Sequence, residues 1–243
     1  MRTQVPNSFD RNLQRVAAFL LLATGLAGCS GNVVETGKSE AQEGRHIALL
    51  DVSHMPTDSW RHLKIKGHTD YRIVEMDGRL AIRARGAGGA SGLIRRTAFS
   101  PQQCETLSWT WRVNQLQPSA DLAKKRGDDV AAAIFVMFGD PGLLSAPDPV
   151  STLRYVWTVA RHRVDEIVAN PYMPDMVQNV VVHAGNADVG QWVTEQRNIR
   201  ADYQRAFGKA PTDEVEAIAL FVDNDQTKEP VEAYFQRIDV SCS

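Results

Sequence analysis

Residues 107–113 have the sequence LSWTWRV, in which two tryptophans stand two positions apart. Side chains of a β-strand point alternately to opposite faces, so Trp109 and Trp111 are expected to share one face. Residues 153–159, LRYVWTV, repeat the same alternation around Trp157. Both stretches begin and end with aliphatic residues, which is typical of a face that packs into a core. Trp109 is therefore predicted to be buried.

Turn residues separate further β-rich segments. Residues 69–76 and 79–86 flank Asp77-Gly78, a pair that favours the type I′ turn of a two-residue β-hairpin. Residues 129–139, DVAAAIFVMFG, are apolar on both faces beyond the first position, which predicts a central strand of a sheet.

A convincing helical pattern occurs once. Apolar residues recur at i, i+4, i+7 and i+8 from Ile199 to Phe207, and Gly208 follows where glycine often ends a helix. A βαβ fold would need several more helices than this. With some nine or ten strands, the sequence predicts an all-β fold, a two-sheet antiparallel β-sandwich of jelly-roll type with one short helix.

The first 28 residues are predicted to be a lipoprotein signal peptide. Three arginines form a basic start, and residues 16–26 form an apolar segment too short to span a bilayer. Leu26-Ala27-Gly28-Cys29 resembles a bacterial lipobox, which implies cleavage before Cys29 and lipidation of its thiol. Ser30 follows where an aspartate would retain a lipoprotein in the inner membrane. An outer-membrane anchor, facing the periplasm, is therefore expected.

The remaining chain is predicted to hold the lipidated Cys with a flexible tether, residues 29–45, and one β-sandwich domain, residues 46–243. Removing residues 1–28 takes away three Arg and one Asp and shifts the net charge from −2 to −4. Such a chain has no excess of basic residues with which to bind nucleic acid.

Two cysteines remain besides Cys29. Cys104 precedes the strand that carries the two tryptophans, and Cys242 ends the last predicted strand. If these strands pair antiparallel, the start of one meets the end of the other, and an oxidising envelope permits the bridge. We predict a disulfide between Cys104 and Cys242; two free buried thiols are the alternative.

Several short motifs occur in a distinctive order. They are Gly127-Asp128-Asp129, Tyr155-Val156-Trp157, Asn170-Pro171-Tyr172, Trp192, residues 197–208 and Asp223-Asn224-Asp225-Gln226-Thr227. This order resembles the bacterial domain-of-unknown-function family 3047 over about residues 58–240. The family more often has D-T-D-N-T as its second acidic motif, so this chain differs at Asn224 and Gln226. The resemblance implies no activity and no catalytic residue. The strand order is also similar to that of carbohydrate-binding jelly rolls and carbohydrate-binding modules, an analogy of fold alone.

Acidic residues stand at two strand ends. Asp128 and Asp129 precede the apolar central strand, and Asp223 and Asp225 follow another strand. Carboxylates in such loops suit Ca²⁺, which takes about six to eight oxygen ligands. Asp128, Asp223 and Asp225 are therefore candidate calcium ligands, and Ca²⁺ is the cofactor considered. The alternative is solvated turn chemistry, because Asp and Asn often bond their own backbone.

The same acids are candidates for catalysis. Glycoside hydrolysis needs two carboxylates at a defined separation, whereas Asp128 and Asp129 are adjacent and face opposite ways on a strand. A catalytic pair would join one of them to Asp223, Asp225 or another acid. His183 is a candidate proton shuttle; a half-buried histidine with satisfied hydrogen bonds is the alternative.

Tryptophans near strand ends are candidates for stacking on a ligand. Two of them lie toward the ends of their strands, and a third follows the polar loop 186–191. All three are candidates for the rim of a concave site, with Tyr172 and the proline-rich loop 141–149 as its wall; burial in the core is the alternative. The predicted ligand-binding residues are Trp111, Trp157, Trp192, Asp129, Asp223 and Asp225.

The sequence thus favours a lipoprotein of the bacterial cell envelope whose β-sandwich is a non-catalytic ligand-binding module, with a glycan as the first candidate ligand. One alternative is a carbohydrate-active hydrolase or lyase that uses paired Asp residues. The other is an envelope assembly or scaffold protein. The three differ in site shape: a groove with stacked aromatics, a cleft with two facing acids, or an exposed apolar patch. The expected partners are the membrane, through the lipid anchor, and a glycan or an envelope protein.

Overall fold

This computed structural model describes residues 45–54, 59–144 and 147–243. They contain thirteen β-strands and one α-helix. In chain order the strands are β1 (His46–Asp51), β2 (Arg61–Lys66), β3 (Thr69–Met76), β4 (Arg79–Gly86), β5 (Ala90–Phe99), β6 (Thr106–Gln115), β7 (Ala132–Phe138), β8 (Ser151–Thr158), β9 (Ile167–Ala169), β10 (Val177–Ala184), β11 (Val193–Asn198), β12 (Val215–Asp223) and β13 (Glu232–Ser241). Helix α1 (Ile199–Phe207) lies between β11 and β12. Of these strands, β1, β2 and β9 were not predicted.

The predicted signal peptide, residues 1–28, and the lipidated Cys29 lie outside the described residues, as does the tether up to residue 44. All the described residues belong to one compact unit. Within them, the structure contains no helix with the length and apolarity that a membrane crossing requires.

The strands form two sheets. The six-stranded sheet has the order β11-β6-β13-β4-β3, with β1 also paired to β13. The seven-stranded sheet has the order β2-β5-β12-β7-β8-β10-β9. Neighbouring strands are antiparallel except β8 and β10, which are parallel because the chain passes through β9 between them. The predicted two-sheet β-sandwich with one helix is confirmed, although the seven-stranded sheet is mixed and not purely antiparallel.

The main core lies between the two sheets. Trp109 of β6 contacts Tyr155 of β8, with ring centroids 5.1 Å apart, and Trp111 contacts Trp157 at 5.9 Å. These side chains are buried, and the aromatic stripes of the two sheets therefore face each other. Burying one large apolar side chain stabilises a fold by about 3 kcal/mol, so this contact contributes strongly to the packing of the sandwich.

A second apolar cluster covers the other face of the seven-stranded sheet. Strand β7 is buried along its whole length and lies between β12 and β8, which confirms the predicted central strand. Its side chains alternate between the main core and this second cluster, where Phe135 stacks on Phe221 at 4.8 Å. Leu122 and Val130, from the segment that leads into β7, also belong to this cluster.

Local features agree with the sequence patterns. Asp77 and Gly78 both have positive φ, 52° and 72°, as a type I′ turn between β3 and β4 requires. Helix α1 begins after Asn198, whose side chain accepts a hydrogen bond from the N–H of Ala201, and ends before Gly208. Its Tyr203 packs against Phe138 of the core.

The predicted disulfide is present. Strands β6 and β13 pair antiparallel with Thr106 opposite Ser241, so the residues just outside this pair, Cys104 and Cys242, come together. The bridge closes a loop of 138 residues. In the chain-entropy model, a bridge across so long a loop stabilises the fold by up to about 5 kcal/mol.

Candidate functional site

A pocket of about 360 Å³ lies on the outer face of the seven-stranded sheet, the face turned away from the six-stranded sheet. Ala90 of β5 lines it, and Ala133 and Ala219 lie on the same face of the neighbouring strands β7 and β12. The phenylalanine pair Phe135 and Phe221 lines its apolar side. The polar residues that line it are Lys66, Asp128, Arg154, Asn170, Asp223, Asp225 and Gln226.

Arg154 is the polar centre of this pocket. It lies on β8 and points opposite to Tyr155 and Trp157, because side chains alternate along the strand. Its guanidinium carbon lies 5.1 Å from the ring centroid of Phe135, and its Nη1 lies 3.5 Å from Oδ2 of Asp128. Arg154 is only 4% exposed, and its Nε and Nη2 have no hydrogen-bond partner. A buried guanidinium thus has two nitrogen atoms, Nε and Nη2, whose hydrogens are free to bond a ligand.

Asp128 faces Arg154 across the pocket wall. Its Oδ2 accepts a hydrogen bond of 2.6 Å from Asn170, while its Oδ1 has no partner. Burial raises the pKa of Asp128, and Arg154 opposes that shift. Asn170 in turn accepts hydrogen bonds from the N–H groups of Tyr172 and Met173, so this amide connects Asp128 to the loop at the pocket mouth.

Three other carboxylates form a cluster beside the pocket. One oxygen each of Asp129, Asp223 and Asp225 lies within 4.8 Å of the others. The three residues are 0%, 6% and 6% exposed. Asp223 and Asp225 line the pocket, and Asp129 lies behind them. The structure groups Asp129, and not the predicted Asp128, with Asp223 and Asp225; Asp128 lines the same pocket and points toward Arg154.

Backbone contacts fix the geometry of this cluster. Asp129 accepts hydrogen bonds from the N–H groups of Gln226, 3.1 Å, and Thr227, 2.6 Å. Asp223 accepts one from the N–H of Asp225 at 3.1 Å. Asn224 points the other way, and its side-chain oxygen accepts hydrogen bonds from Gly88 and Gly89. The start of β7, the end of β12 and the turn before β5 are thereby held together.

The glycine-rich turn before β5 allows a close approach of backbone segments. A side chain at Gly89 would place its Cβ 2.3 Å from the backbone nitrogen of His68, so only glycine fits there. The loop with Asp223 and Asp225 rests on this turn through Asn224.

The electrostatics of the cluster follow from burial and repulsion. Burial, reinforced by the negative charge of Asp129, raises the pKa of Asp223 to about 9. Lys66 of β2 donates a hydrogen bond to Asp225 and forms an ion pair with it, and this contact raises the pKa of the lysine. Asp225 therefore has a cationic partner, whereas Asp223 is left beside two other acids.

Tyr172 and Gln226 form the polar part of the pocket mouth. Tyr172 is 51% exposed; its hydroxyl donates to the carbonyl of Lys125 and accepts from the amide of Gln226 at 3.1 Å. The side-chain oxygen of Gln226 has no partner. Met173 and Ile65 are exposed apolar residues of the same mouth.

A second pocket of about 350 Å³ adjoins the first. The two share Ile65, Phe135, Met173 and Val177. The second is also lined by residues 147–150 of the proline-rich loop. The structure thus places Tyr172 and part of this loop along one groove, as expected from the sequence.

The predicted aromatic rim is not formed by tryptophans. Trp111 and Trp157 are fully buried between the sheets, so neither ring is accessible to a ligand and their prediction as ligand-binding residues is wrong. The end of β8 is covered, because His183 stacks on Trp157 with ring centroids 4.0 Å apart. Trp192 contacts Tyr234 and Arg79 of the six-stranded sheet and does not line the pocket.

His183 lies between two acids. Its Nδ1 is 3.2 Å from Glu195 and its Nε2 is 2.9 Å from Asp188. Hydrogen bonding to Glu195, with support from Asp188, raises the pKa of His183 against the effect of burial. This is the half-buried histidine with satisfied hydrogen bonds that the sequence left as an alternative, and it does not line the pocket.

Sequence reasoning missed four polar residues that line the pocket: Lys66, Arg154, Asn170 and Gln226. The sequence does mark Arg154, because a single arginine stands inside the apolar stretch LRYVWTV. A charged residue in a strand buried on both faces requires a partner or a function. Asn170 and Gln226 both belong to motifs on which the family resemblance rests.

The fold and the pocket define a two-sheet β-sandwich with a candidate site on the outer face of one sheet. Three of the motifs that resemble the family meet there: Asp128-Asp129, Asn170-Pro171-Tyr172 and the residues from Asp223 to Thr227. The chain matches the family model described as "Protein of unknown function (DUF3047)" over residues 58–239. It belongs to this family.

The chain is also similar to several solved structures. One is TmCBM27, a carbohydrate-binding module described for specific mannan recognition, with 8% identity, a TM-score of 0.34, and 82% of this chain and 99% of that chain covered. Another is the carbohydrate recognition domain of Emp47p, with 11% identity, a TM-score of 0.41, and 84% and 99% covered. A third is the family 11 xylanase from Neocallimastix patriciarum, with 9% identity, a TM-score of 0.33, and 81% and 91% covered. Likenesses at these TM-scores carry no argument about function. No curated protein matches the chain.

Proposed function

We propose that the protein is a non-catalytic ligand-binding module and that the pocket around Arg154 binds a neutral, hydroxyl-rich ligand such as a glycan. The observation that supports this most is the set of unpaired polar atoms on the pocket wall. Arg154 has two unpaired nitrogen donors, and Asp128 and Gln226 each have an unpaired oxygen. Leaving such buried groups without a partner costs about 1–3 kcal/mol each, which a bound ligand can offset.

The chemistry of these atoms favours hydroxyl groups. A hydroxyl both donates and accepts hydrogen bonds, and this pocket has unpaired donors and acceptors side by side. The apolar wall of Phe135 and Phe221 and the exposed ring of Tyr172 suit the C–H faces of a sugar ring. An anionic ligand is disfavoured, because Asp128, Asp223 and Asp225 line the pocket against two cationic side chains.

The bacterial envelope is the location that fits this proposal. The predicted signal peptide and the lipobox at Cys29 would anchor the module to a membrane, with the outer membrane as the proposed site. The Cys104–Cys242 disulfide agrees with an oxidising compartment.

A glycan array tests the binding proposal. The full chain, purified in detergent, is applied to an array that includes bacterial envelope polysaccharides. We expect binding that Tyr172→Ala abolishes and that the control Trp192→Ala retains, with the melting temperature of the Tyr172 variant within about 2 °C of the wild type. A blank array, or equal loss in both variants, contradicts a glycan site in this pocket and directs attention to protein partners.

A carbohydrate-active enzyme is the second candidate function, favoured by the raised pKa of Asp223. A pKa of about 9 keeps that carboxyl protonated at neutral pH, as a general acid requires, and Asp225 lines the same pocket. Against it, Asp129 is fully buried with both oxygens bonded to backbone N–H groups, and Asp225 is paired with Lys66. If the protein releases reducing sugar and Asp223→Asn abolishes that release, the enzyme hypothesis replaces the binding proposal. Absence of release across a broad panel of polysaccharides supports the binding proposal.

The third alternative, a scaffold protein, predicts a flat apolar patch. Exposed Ile65 and Met173 surround a concave pocket instead. A groove with a polar centre fits a small ligand better than the face of another protein.

A further inference from the structure

We infer that Asp129, Asp223 and Asp225 form a calcium-binding site beside the ligand pocket. One oxygen of each lies within 4.8 Å of the others. Oxygen ligands of Ca²⁺ lie about 2.4 Å from the ion, so two ligands of the same ion are at most about 5 Å apart. The three carboxylates already meet this requirement without a change of backbone.

Unpaired oxygens in the adjoining pocket point to the same ligand. Asp128 is 95% buried, its Oδ1 has no hydrogen-bond partner, and it lines the pocket together with Asp223 and Asp225. The side-chain oxygen of Gln226 is also buried and unpaired in this wall. An ion in the cluster can bind such oxygens directly or through a water molecule, because Ca²⁺ completes its shell with amide oxygens and water.

The charges near the site favour binding of a divalent cation. Four acids, Asp128, Asp129, Asp223 and Asp225, face two cationic side chains of the described pocket lining, Lys66 and Arg154. In the ionised form that binds a metal, these four carboxylates therefore leave two negative charges without a partner in a buried region. A buried charge is strongly destabilising unless it is paired or coordinates a metal, and one Ca²⁺ supplies the missing balance.

The hydrogen bonds within the cluster leave lone pairs for an ion. Asp129 uses each oxygen once, for the N–H groups of Gln226 and Thr227, and a carboxylate oxygen has about two acceptor positions. All three candidate ligands in this cluster are carboxylates. All-oxygen ligands favour Ca²⁺ or Mg²⁺ over zinc, and several carboxylates around one position suit Ca²⁺, whereas Mg²⁺ usually binds one or two carboxylates and keeps its water.

The ion would connect three segments of the chain. Asp129 leads into β7, Asp223 ends β12, and Asp225 lies in the loop that carries Gln226 to the pocket mouth. Binding of Ca²⁺ would fix the position of Gln226, so the site extends the proposed function by giving the pocket a metal-dependent wall. Its test does not depend on a glycan.

Isothermal titration of the full chain in detergent, stripped with EDTA and titrated with CaCl₂, provides the test. We expect one Ca²⁺ per chain, binding in the micromolar to millimolar range, and a higher melting temperature in Ca²⁺ than in EDTA. Asp223→Asn is the main variant, because asparagine keeps an acceptor for the N–H of Asp225 and so retains the metal-free fold, while it removes a carboxylate ligand. It should weaken Ca²⁺ binding at least about tenfold, because even the outer partners of a metal site contribute that much.

Asp121→Asn is the matched control. Asp121 is buried to a similar degree but already has Lys124 and Arg161 as cationic partners, so its substitution should leave Ca²⁺ binding unchanged. Absence of heat and of a melting shift up to about 10 mM CaCl₂ overturns the inference, as does unchanged binding in Asp223→Asn. Calcium binding with a blank glycan array would support this site and contradict the proposed ligand, and the reverse result would do the opposite.

Discussion

The two faces of the seven-stranded sheet differ in how their polar groups are satisfied. The inner face packs Tyr155 and Trp157 into the main core, whose unpaired polar atoms, among the described residues, are the neutral indole N–H groups of Trp60, Trp109 and Trp111. The outer face leaves parts of a guanidinium and a carboxylate unpaired, at Arg154 and Asp128. Burying charged groups without partners costs more than burying neutral ones, so the outer face is the one that requires a ligand.

Substitution on the inner face is expected to have the largest effect. Trp157→Ala should lower the free energy of unfolding by about 3–5 kcal/mol, because it removes a fully buried ring and leaves a cavity. Urea denaturation followed by circular dichroism measures this. A loss below about 1 kcal/mol would contradict the assignment of Trp157 to the core.

Arg154→Met should have the next largest effect and should depend on Asp128. Removing one partner of a buried ion pair costs about 3 kcal/mol, since the other charge is left alone. The double variant Arg154→Met, Asp128→Asn should regain at least about 1 kcal/mol of that loss. A double-mutant cycle by urea denaturation measures the coupling. Purely additive losses would mean that the two side chains act independently and that the outer face resembles the inner one.

His183 lies at the end of the inner face and should give a smaller, pH-dependent effect. Its pKa is raised in the folded state from the ordinary value of 6.5, chiefly by Glu195. The stability it contributes is therefore fully present below about pH 6.5 and is lost as the pH rises through the raised folded-state value. Urea denaturation at about pH 5.5 and about pH 9 should show this loss in the wild type and not in His183→Gln. An equal slope in both proteins would contradict it.

Ile65→Ser should have the smallest effect on stability. Ile65 is 62% exposed, so the free energy of unfolding should change by less than about 0.5 kcal/mol. Because the residue lines both pockets of the groove, ligand binding should weaken while stability is retained. The equally apolar Ile73, 47% exposed and outside the groove, supplies the control Ile73→Ser. Equal binding by both variants would exclude the mouth from the ligand site.

Much of the fold could be predicted from the sequence, because local chemistry determines it. Asp77-Gly78 predicted a hairpin, and the apolar run into Phe138 predicted a central strand. The positions of Cys104 and Cys242 agreed with an antiparallel pairing of β6 and β13. The strands that escaped prediction are edge or short strands. For example, β2 has the polar sequence RHLKIK and is stabilised by β5, which is distant in the chain, whereas β9 has only three residues and pairs with the following strand β10.

Only part of the site could be predicted from the sequence. The alternation of LRYVWTV shows which residues share a face, but not which residues cover that face; Trp157 is buried because Trp111 of β6 and His183 of β10 pack against its ring. The acids were found because Asp-rich turns at strand ends are visible in a sequence. Which of Asp128 and Asp129 points to Asp223 depends on how the segment before β7 enters the sheet between β12 and β8, a property of the tertiary structure.

The pairing of the first and last strands has a consequence for engineering. His46 lies opposite Ser241, and the N–H of Cys242 donates to the carbonyl of Arg45, so the two ends of the described sandwich are side by side. A linker of a few residues between them would close the chain into a ring, and new ends could be opened at the exposed Asp77-Gly78 turn. Such a circular permutant keeps every strand pairing, so the module can be inserted as a guest into a loop of another protein.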